Sequence, residues 1–290
     1  KHISSLVVSL CRVYIGSIIM ISINTNYGGL YASKAASESQ RTLDTAMERL
    51  STGMRINYAK DDAAGQAIST RLTAEVEGLA MASRNAADAQ SMIDTAEGAL
   101  QETSNLLLRM RELAVQSANG TLLQSDRNAL DAEFQALEAE ITRIDANTSW
   151  AGAAIFDGSA KVFQIGTKDG GANRLSHTIA DMAPGTIIDT VTVGGVAGQD
   201  VDLTTQTRAQ LALTEVDEAI GRVSAERGNL GAVSNRLSST MANLDQVAVN
   251  LSASKGRIQD TDFAAETGNL AKNQILQQAA TAMLAQANAS

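Results

Sequence analysis

The sequence is poor in the residues that usually build thick globular cores. Aromatic residues make up 3% of the 290 positions, and Pro184 is the only proline. Because proline breaks helices, its near absence allows helices to run long without kinks. Hydrophobic residues nevertheless make up 44% of the chain and charged residues 19%, which excludes wholesale disorder. The expected core is thin and aliphatic, as in a helical bundle or coiled coil.

Residues that commonly carry chemistry are also scarce. Cys11 is the only cysteine, which excludes a disulfide framework and a cysteine metal cluster. His2 and His177 are far apart in sequence and have no partners at metal-ligand spacing. The chain contains no HExxH motif and no nucleophile elbow. We therefore expect no enzyme activity, no metal site and no cofactor.

Charge is unevenly distributed. The formal net charge is −9, but residues 1–60 carry seven Lys and Arg against three Asp and Glu. The acidic excess lies in the middle of the chain, which would repel polyanions, so nucleic-acid binding is disfavoured. Residues 1–20 form an apolar run interrupted by Arg12, which argues against stable membrane insertion. The run resembles a signal-peptide core without a clean cleavage site, and an extension upstream of a start at Met20 is favoured.

Apolar residues recur at helical spacing in three long segments. The first stripe runs from Ile68 to Ala114, the second from Leu130 to Ile144 and the third from Leu213 to Leu251. Residues 150–205 instead contain short alternating runs between glycines, which predict hairpins. The glycine-rich GTKDGG (166–171) is predicted to be a hairpin turn, since it lacks the ending of a phosphate-binding loop. Asn119 and Gly120 predict a left-handed cap at the end of the first stripe.

This pattern predicts a mainly α fold of long helices that form a thin rod, with a small β-rich central insert (150–205) and an N-terminal extension (1–20).

Asp61 and Asp62 are two adjacent carboxylates that could hold a metal, form an acid/base pair or start a helix. They directly precede the first long stripe, where acidic side chains accept free backbone N–H groups and offset the helix dipole. The helix-start interpretation is strongly favoured.

Both chain ends carry amphipathic segments whose apolar seams are too narrow to be stable alone. They are expected to need partner helices from the other terminus or from other copies. The residues predicted to drive polymerisation are Leu43, Leu50, Phe263, Leu270, Ile275, Leu276, Met283 and Leu284.

Several segments closely resemble bacterial flagellin. They are INTN (23–26), ERLSTGMRINYAKDDAAGQAI (48–68), SRNAADAQSMIDTAEGALQE (83–102), RMRELAVQSANG (109–120) and SKGRIQDTDFAAETGNLAKNQILQQAATAMLAQAN (254–288). The resemblance implies an elongated antiparallel helical bundle or coiled-coil rod built from both chain ends. Its segments are the rod helices (58–149 and 206–252), the two parts of a terminal coiled-coil domain (21–57 and 253–290) and the insert as an outer domain (150–205). The same resemblance implies a structural protomer that assembles into the flagellar filament, at the cell surface and outside the cell, after type III export in an unfolded form. It also implies partners: other copies of the chain, an export chaperone and the filament cap.

The charged stretch around Arg109, Arg111 and Glu112 has two interpretations, a solvated helix face or a face that contacts other subunits. By resemblance, Arg109, Leu113 and Glu133 match positions that a vertebrate innate immune receptor recognises in flagellin. In a filament this face would be buried, so recognition would need free monomer.

Two alternatives come from other functional classes. The insert could bind an acidic polymer such as a polysaccharide, through Lys168, Arg174 and His177, although only three aromatics lie near it. A membrane-inserting type III translocator would require a long wholly apolar helix, which the matched segments do not contain.

Overall fold

The computed structural model describes residues 26–188, 191–193, 196–199 and 201–289. The predicted extension (1–20) lies outside these residues. The chain divides into two compact units, one comprising Lys1–Ser69 with Lys255–Ser290 and the other comprising Thr70–Ser254. The predicted boundaries at 57/58 and 252/253 stay predictions.

The described part of the chain is dominated by helices, which confirms the mainly α fold. Short turns separate the long helices, except between Asn147 and Gln206, where the central segment intervenes. Each of the two longest helices spans about 80 Å at a rise of about 1.5 Å per residue. The helices are α1 (Tyr27–Thr52), α2 (Ala63–Ser117), α3 (Gln124–Asn147), α4 (Pro184–Ile187), α5 (Gln206–Gln259) and α6 (Phe263–Ala289).

Three antiparallel hairpins account for the described strands. The longest pairs β3 with β4, in a register that runs from Ala160 opposite Thr178 to Gln164 opposite Arg174. GTKDGG lies in the connection of this hairpin, as its glycines predict. The strands are β1 (Ser149–Trp150), β2 (Ala153–Ala154), β3 (Ala160–Gln164), β4 (Arg174–Thr178), β5 (Val191–Val193) and β6 (Val196–Gln199).

In the second unit, α2, α3, α5 and the central segment share one aliphatic core. The stripe predicted along α2 is buried from Ala86 to Ala114, because its spacing keeps these side chains on one helix face. Polar contacts show that α2 and α5 are antiparallel: Gln90 bonds to Ser234, Glu97 to Arg227 and Arg111 to Asp217. Residues of the predicted insert enter the same core, including Ile155, Phe156, Leu175, Ile179 and Met182.

The end of α2 differs from the prediction. Gly120 does not adopt a positive φ, so the expected left-handed cap is wrong. Instead the buried guanidinium of Arg127 donates to the carbonyl oxygens of Ser117 and Asn119. A cation there both satisfies free carbonyls and offsets the negative end of the helix dipole. Arg127 lies ten residues after the last residue of α2, outside the few positions that local capping rules consider.

In the first unit, α1 and α6 pack along each other. Their connecting turns are joined by backbone bonds, from the N–H of Arg55 to the carbonyl of Gln259 (2.7 Å) and from the N–H of Thr261 to the carbonyl of Gly53 (3.0 Å). Gly53 has a φ of 72°, a left-handed conformation that lets it end α1.

Candidate assembly surface

The contact between α1 and α6 follows a heptad on both helices. On α1 one series of buried and half-buried positions repeats at steps of three and four: Gly29, Ala32, Ala36, Ser39, Leu43, Ala46 and Leu50. The half-buried residues Ala35, Gln40, Glu48 and Arg49 flank this series. On α6 the same rhythm gives Glu266, Leu270, Asn273, Gln277, Ala280, Leu284 and Ala287. We call these two sets the seam. Such spacing keeps one stripe of each helix against the other.

The α6 side of the seam is unusually polar. Glu266 and Asn273 are buried, and Gln277 is half-buried. Leu270, Ala280 and Leu284 are half-buried as well, and the remaining α6 positions from Phe263 to Gln286 are exposed. The helix therefore turns a partly polar stripe toward α1 and leaves its largest apolar side chains outside.

Outside the seam, α6 carries three exposed large apolar side chains. Ile275 is 65% exposed, Met283 64% and Leu276 44%. Of the residues predicted to drive polymerisation, these three lie outside the seam and Leu43, Leu50, Leu270 and Leu284 lie in it. Phe263, 56% exposed, lies one heptad before Leu270 with its ring close to Gly53 at the end of α1. Periodicity alone could not separate the two faces, because small and polar residues occupy much of the seam.

Sequence analysis missed the matching face of α1. Tyr27, Leu30, Tyr31 and Met47 are exposed and lie outside the seam. In the sequence, each of them is a large apolar residue at a position outside the heptad repeat of the seam, and that pattern could have identified them. Large apolar side chains exposed on both helices of a pair are typical of an interaction surface.

Asp62 and Asp61 occupy the turn before α2. The Oδ1 atom of Asp62 accepts the N–H of Gly65 at 2.9 Å, and its own carbonyl accepts the N–H of Gln66. This is the position and geometry of an N-cap. Asp61 accepts the N–H groups of Tyr58 and Asn57, and the bond from Tyr58 is the largest cause that lowers the pKa of Asp61.

The charged face of the second unit brings together most of the residues singled out there. Arg109 donates to Glu133 on α3 (2.8 Å) and to Glu112 one turn away (3.0 Å), while Arg111 pairs with Asp217 on α5. These hydrogen bonds raise the pKa of both arginines. Leu113 is different, since it is only 1% exposed and packs in the core.

Two of the three residues considered for polymer binding, Arg174 and His177, lie near carboxylates. Arg174 pairs with Asp169 at 2.9 Å, and His177 Nε2 lies 3.8 Å from the buried Glu226 carboxylate. Phe156 is buried, so it offers no stacking platform. These contacts give no support to binding of an acidic polymer.

A cleft of about 480 Å³ lies between α2 and α3 and is lined by Gly98, Leu106, Glu140 and Arg143 among others. The guanidinium of Arg143 is paired with Glu140 at 2.6 Å. Among the described residues, no cluster of three or more acidic, His or Cys side chains could hold a metal ion. A search of the same residues finds no helix with the length and apolarity to span a bilayer.

Comparison with known proteins gives one consistent family. Residues 23–161 match the model of the bacterial flagellin N-terminal helical region, and residues 213–290 match that of the bacterial flagellin C-terminal helical region. A flagellin from Halalkalibacterium halodurans is 42% identical over 268 residues, covering 92% of this chain and 95% of the relative. Flagellin A of Vibrio cholerae is 36% identical over 365 aligned residues, covering 92% and 96%.

A solved structure described as a flagellar hook-associated protein, from Vibrio parahaemolyticus, shares the fold. It has a TM-score of 0.56 and 16% identity, and the match covers 69% of this chain and all of that chain.

Proposed function

The chain belongs to the bacterial flagellin family, and from that premise we propose that it polymerises into the flagellar filament by burying the outward apolar faces of α1 and α6 between copies. Its function is that of a structural protomer, and its family is one of structural proteins. We assign it no catalytic role and place it outside the cell, in the flagellum.

One observation carries the proposed mechanism, namely that the helix pair of the first unit leaves large apolar side chains exposed outside its seam. The seam holds four leucines among Ala, Gly, Ser and three polar α6 residues, whereas Ile275, Leu276 and Met283 lie exposed outside it. Burying one such side chain contributes about 1.5–3 kcal/mol. A single chain cannot recover this energy, but many identical copies can, and symmetric repetition lets one patch serve at every contact.

Folding and assembly are coupled in this proposal. A helix pair with a thin, partly polar seam gains little stability from its own packing, because most helix stability comes from tertiary burial. Contacts with neighbouring copies supply the missing burial and order the pair. The second unit has its own aliphatic core and does not depend on neighbours in this way.

The proposal is tested by making the outward face of α6 polar. We expect the double variant Ile275→Ser/Met283→Ser to remain soluble under conditions in which the wild-type chain sediments as filaments, as judged by ultracentrifugation and electron microscopy. Gln278→Ser, also at an exposed α6 position, is the matched control and should polymerise normally. Filaments of normal yield from the double variant would contradict the mechanism.

A second test removes the first unit. A fragment spanning residues 70–254 retains the core of the second unit and lacks both faces. It should be helical by circular dichroism and monomeric by light scattering at every concentration tested. Filament formation by this fragment would show that the drive for assembly lies elsewhere.

Family membership supports a proposal of further partners. We propose an export chaperone that covers the apolar C-terminal face before secretion, and a filament cap that admits each new copy. We also propose that an innate immune receptor contacts Arg109, Glu112 and Glu133 on the free chain. Leu113 would support that face from below, since its side chain is buried.

A further inference from the structure

Three polar contacts cross the seam at intervals between α1 and α6. Asn26 Nδ2 donates to the carbonyl of Ala287 at 2.6 Å, the amides of Gln40 and Gln277 are hydrogen-bonded to each other, and Arg49 lies 3.9 Å from Glu266. The α6 residue number falls as the α1 residue number rises. The contacts therefore all belong to one antiparallel register.

Backbone bonds between the connecting turns hold the register at one end of the pair, where the N–H of Arg55 bonds to Gln259 and that of Thr261 to Gly53. Further along the helices the apolar part of the seam specifies the register less strongly. Sliding one helix by a heptad still places Ala36 opposite Ala287, or Gly29 opposite Ala280. Repetitive seams of this kind tolerate slipped pairings unless a specific contact excludes them.

The Gln40–Gln277 contact opposes a slip on chemical grounds. If α6 moved by seven residues in either direction, Gln40 would face Leu270 or Leu284 instead of Gln277. Its Nε2 would keep the bond to Asp44 at 2.8 Å on its own helix, but the half-buried amide would lose its hydrogen bond across the seam and lie against a leucine. A polar residue inside a coiled-coil seam typically lowers stability but fixes register.

We propose that Gln40 and Gln277, supported by Arg49 and Glu266, are the residues that select the register of α1 against α6. This inference deepens the proposed function. A slip of seven residues displaces Tyr27 and Tyr31 relative to Met283 by about 10 Å, at about 1.5 Å per residue. The exposed apolar side chains of α1 and α6 would then no longer have the relative positions with which they contact other copies.

A disulfide pair can report this register directly. A Cβ built on Gly28 lies 3.9 Å from the Cβ of Ala287, within the separation that disulfides require. In a Cys11→Ser background, Gly28→Cys/Ala287→Cys reports the native register. Gly28→Cys/Ala280→Cys reports a slip of one heptad. Mild oxidation is followed by non-reducing electrophoresis and peptide mass mapping of the soluble and sedimented full-length chain.

With the native seam we expect the 28–287 disulfide within one chain, and at least roughly tenfold less of the 28–280 disulfide. Adding Gln40→Leu/Gln277→Leu should raise the yield of the 28–280 disulfide by roughly tenfold. Gln278→Leu, an exposed position on α6, should leave both yields unchanged.

Three results would overturn the proposal: no gain of the 28–280 disulfide in the leucine variant, its ready formation with the native seam, or failure of the 28–287 disulfide to form. The proposed function fails separately. If the wild-type chain does not sediment as filaments, the filament mechanism is contradicted, whereas the ratio of the two disulfides still reports on the register.

Discussion

The carboxylate of Asp131 on α3 accepts the backbone N–H of Leu203 at 2.7 Å, just before α5 begins. Leu203 is fully buried and Asp131 nearly so. The carbonyl of Leu203 in turn accepts the hydroxyl of Ser117 at 2.8 Å. Both backbone groups of one buried residue are thus satisfied by side chains of two different helices, which holds the start of α5 against the ends of α2 and α3.

Asp131→Ala should lower the free energy of unfolding by about 1–3 kcal/mol, because it leaves the buried N–H of Leu203 without an acceptor. Asp131→Asn retains an oxygen at the same position and should lose less. Urea unfolding followed by circular dichroism measures the difference. Equal losses in the two variants would show that the charge matters and the hydrogen bond does not.

Leu107 and Leu108 are sequence neighbours with opposite environments, at 0% and 49% exposure. Leu107→Ala should lower the free energy of unfolding by about 2–5 kcal/mol, since it opens a cavity in the core. Leu108→Ala should change it by about 0.5 kcal/mol or less. Thermal unfolding of both variants provides the comparison. Similar shifts in the two would contradict the position of the α2 stripe.

Much of the second unit could be predicted because its signals are local. The buried residues of α2 and the partners Phe134 and Ile141 on α3 recur at helical spacing, which the sequence displays directly. The polar contacts that join elements could not be predicted. Arg127 caps a helix that ends ten residues earlier, and Asp131 bonds to a residue 72 positions away.

In the first unit, the side of α6 that faces α1 could not be predicted from the sequence, for a physical reason. Its helices could be predicted, but the side facing α1 on α6 contains Glu266, Asn273 and Gln277. Apolar periodicity assumes that the inside of a pair is more apolar than its outside. In α6 this assumption fails, because the apolar residues Ile275 and Met283 face outward.

Asp62→Ala should destabilise the start of α2 by about 1 kcal/mol, because the N–H of Gly65 loses its acceptor. Asp62→Asn preserves the acceptor and should be close to wild type. Amide hydrogen exchange at the first turn of α2 measures the local effect. Unchanged protection in Asp62→Ala would show that the cap contributes little.

Asp145 on α3 gives the chain a pH dependence opposite to that of an ion-paired acid. Burial raises the pKa of Asp145, and its Oδ1 accepts the N–H of Met182 at 3.1 Å. A raised pKa means that the folded state binds the proton more tightly, so this residue's contribution to stability increases as pH falls through that pKa. Asp145→Asn keeps an acceptor without charge, and its melting temperature should exceed that of wild type near pH 7, with the difference shrinking toward pH 4.

Asp157 is the control for this prediction. Hydrogen bonds from Lys161 lower the pKa of Asp157, so Asp157→Asn should reduce the melting temperature near pH 7. The reduction should be smaller in acid, where the wild-type carboxylate takes up its proton.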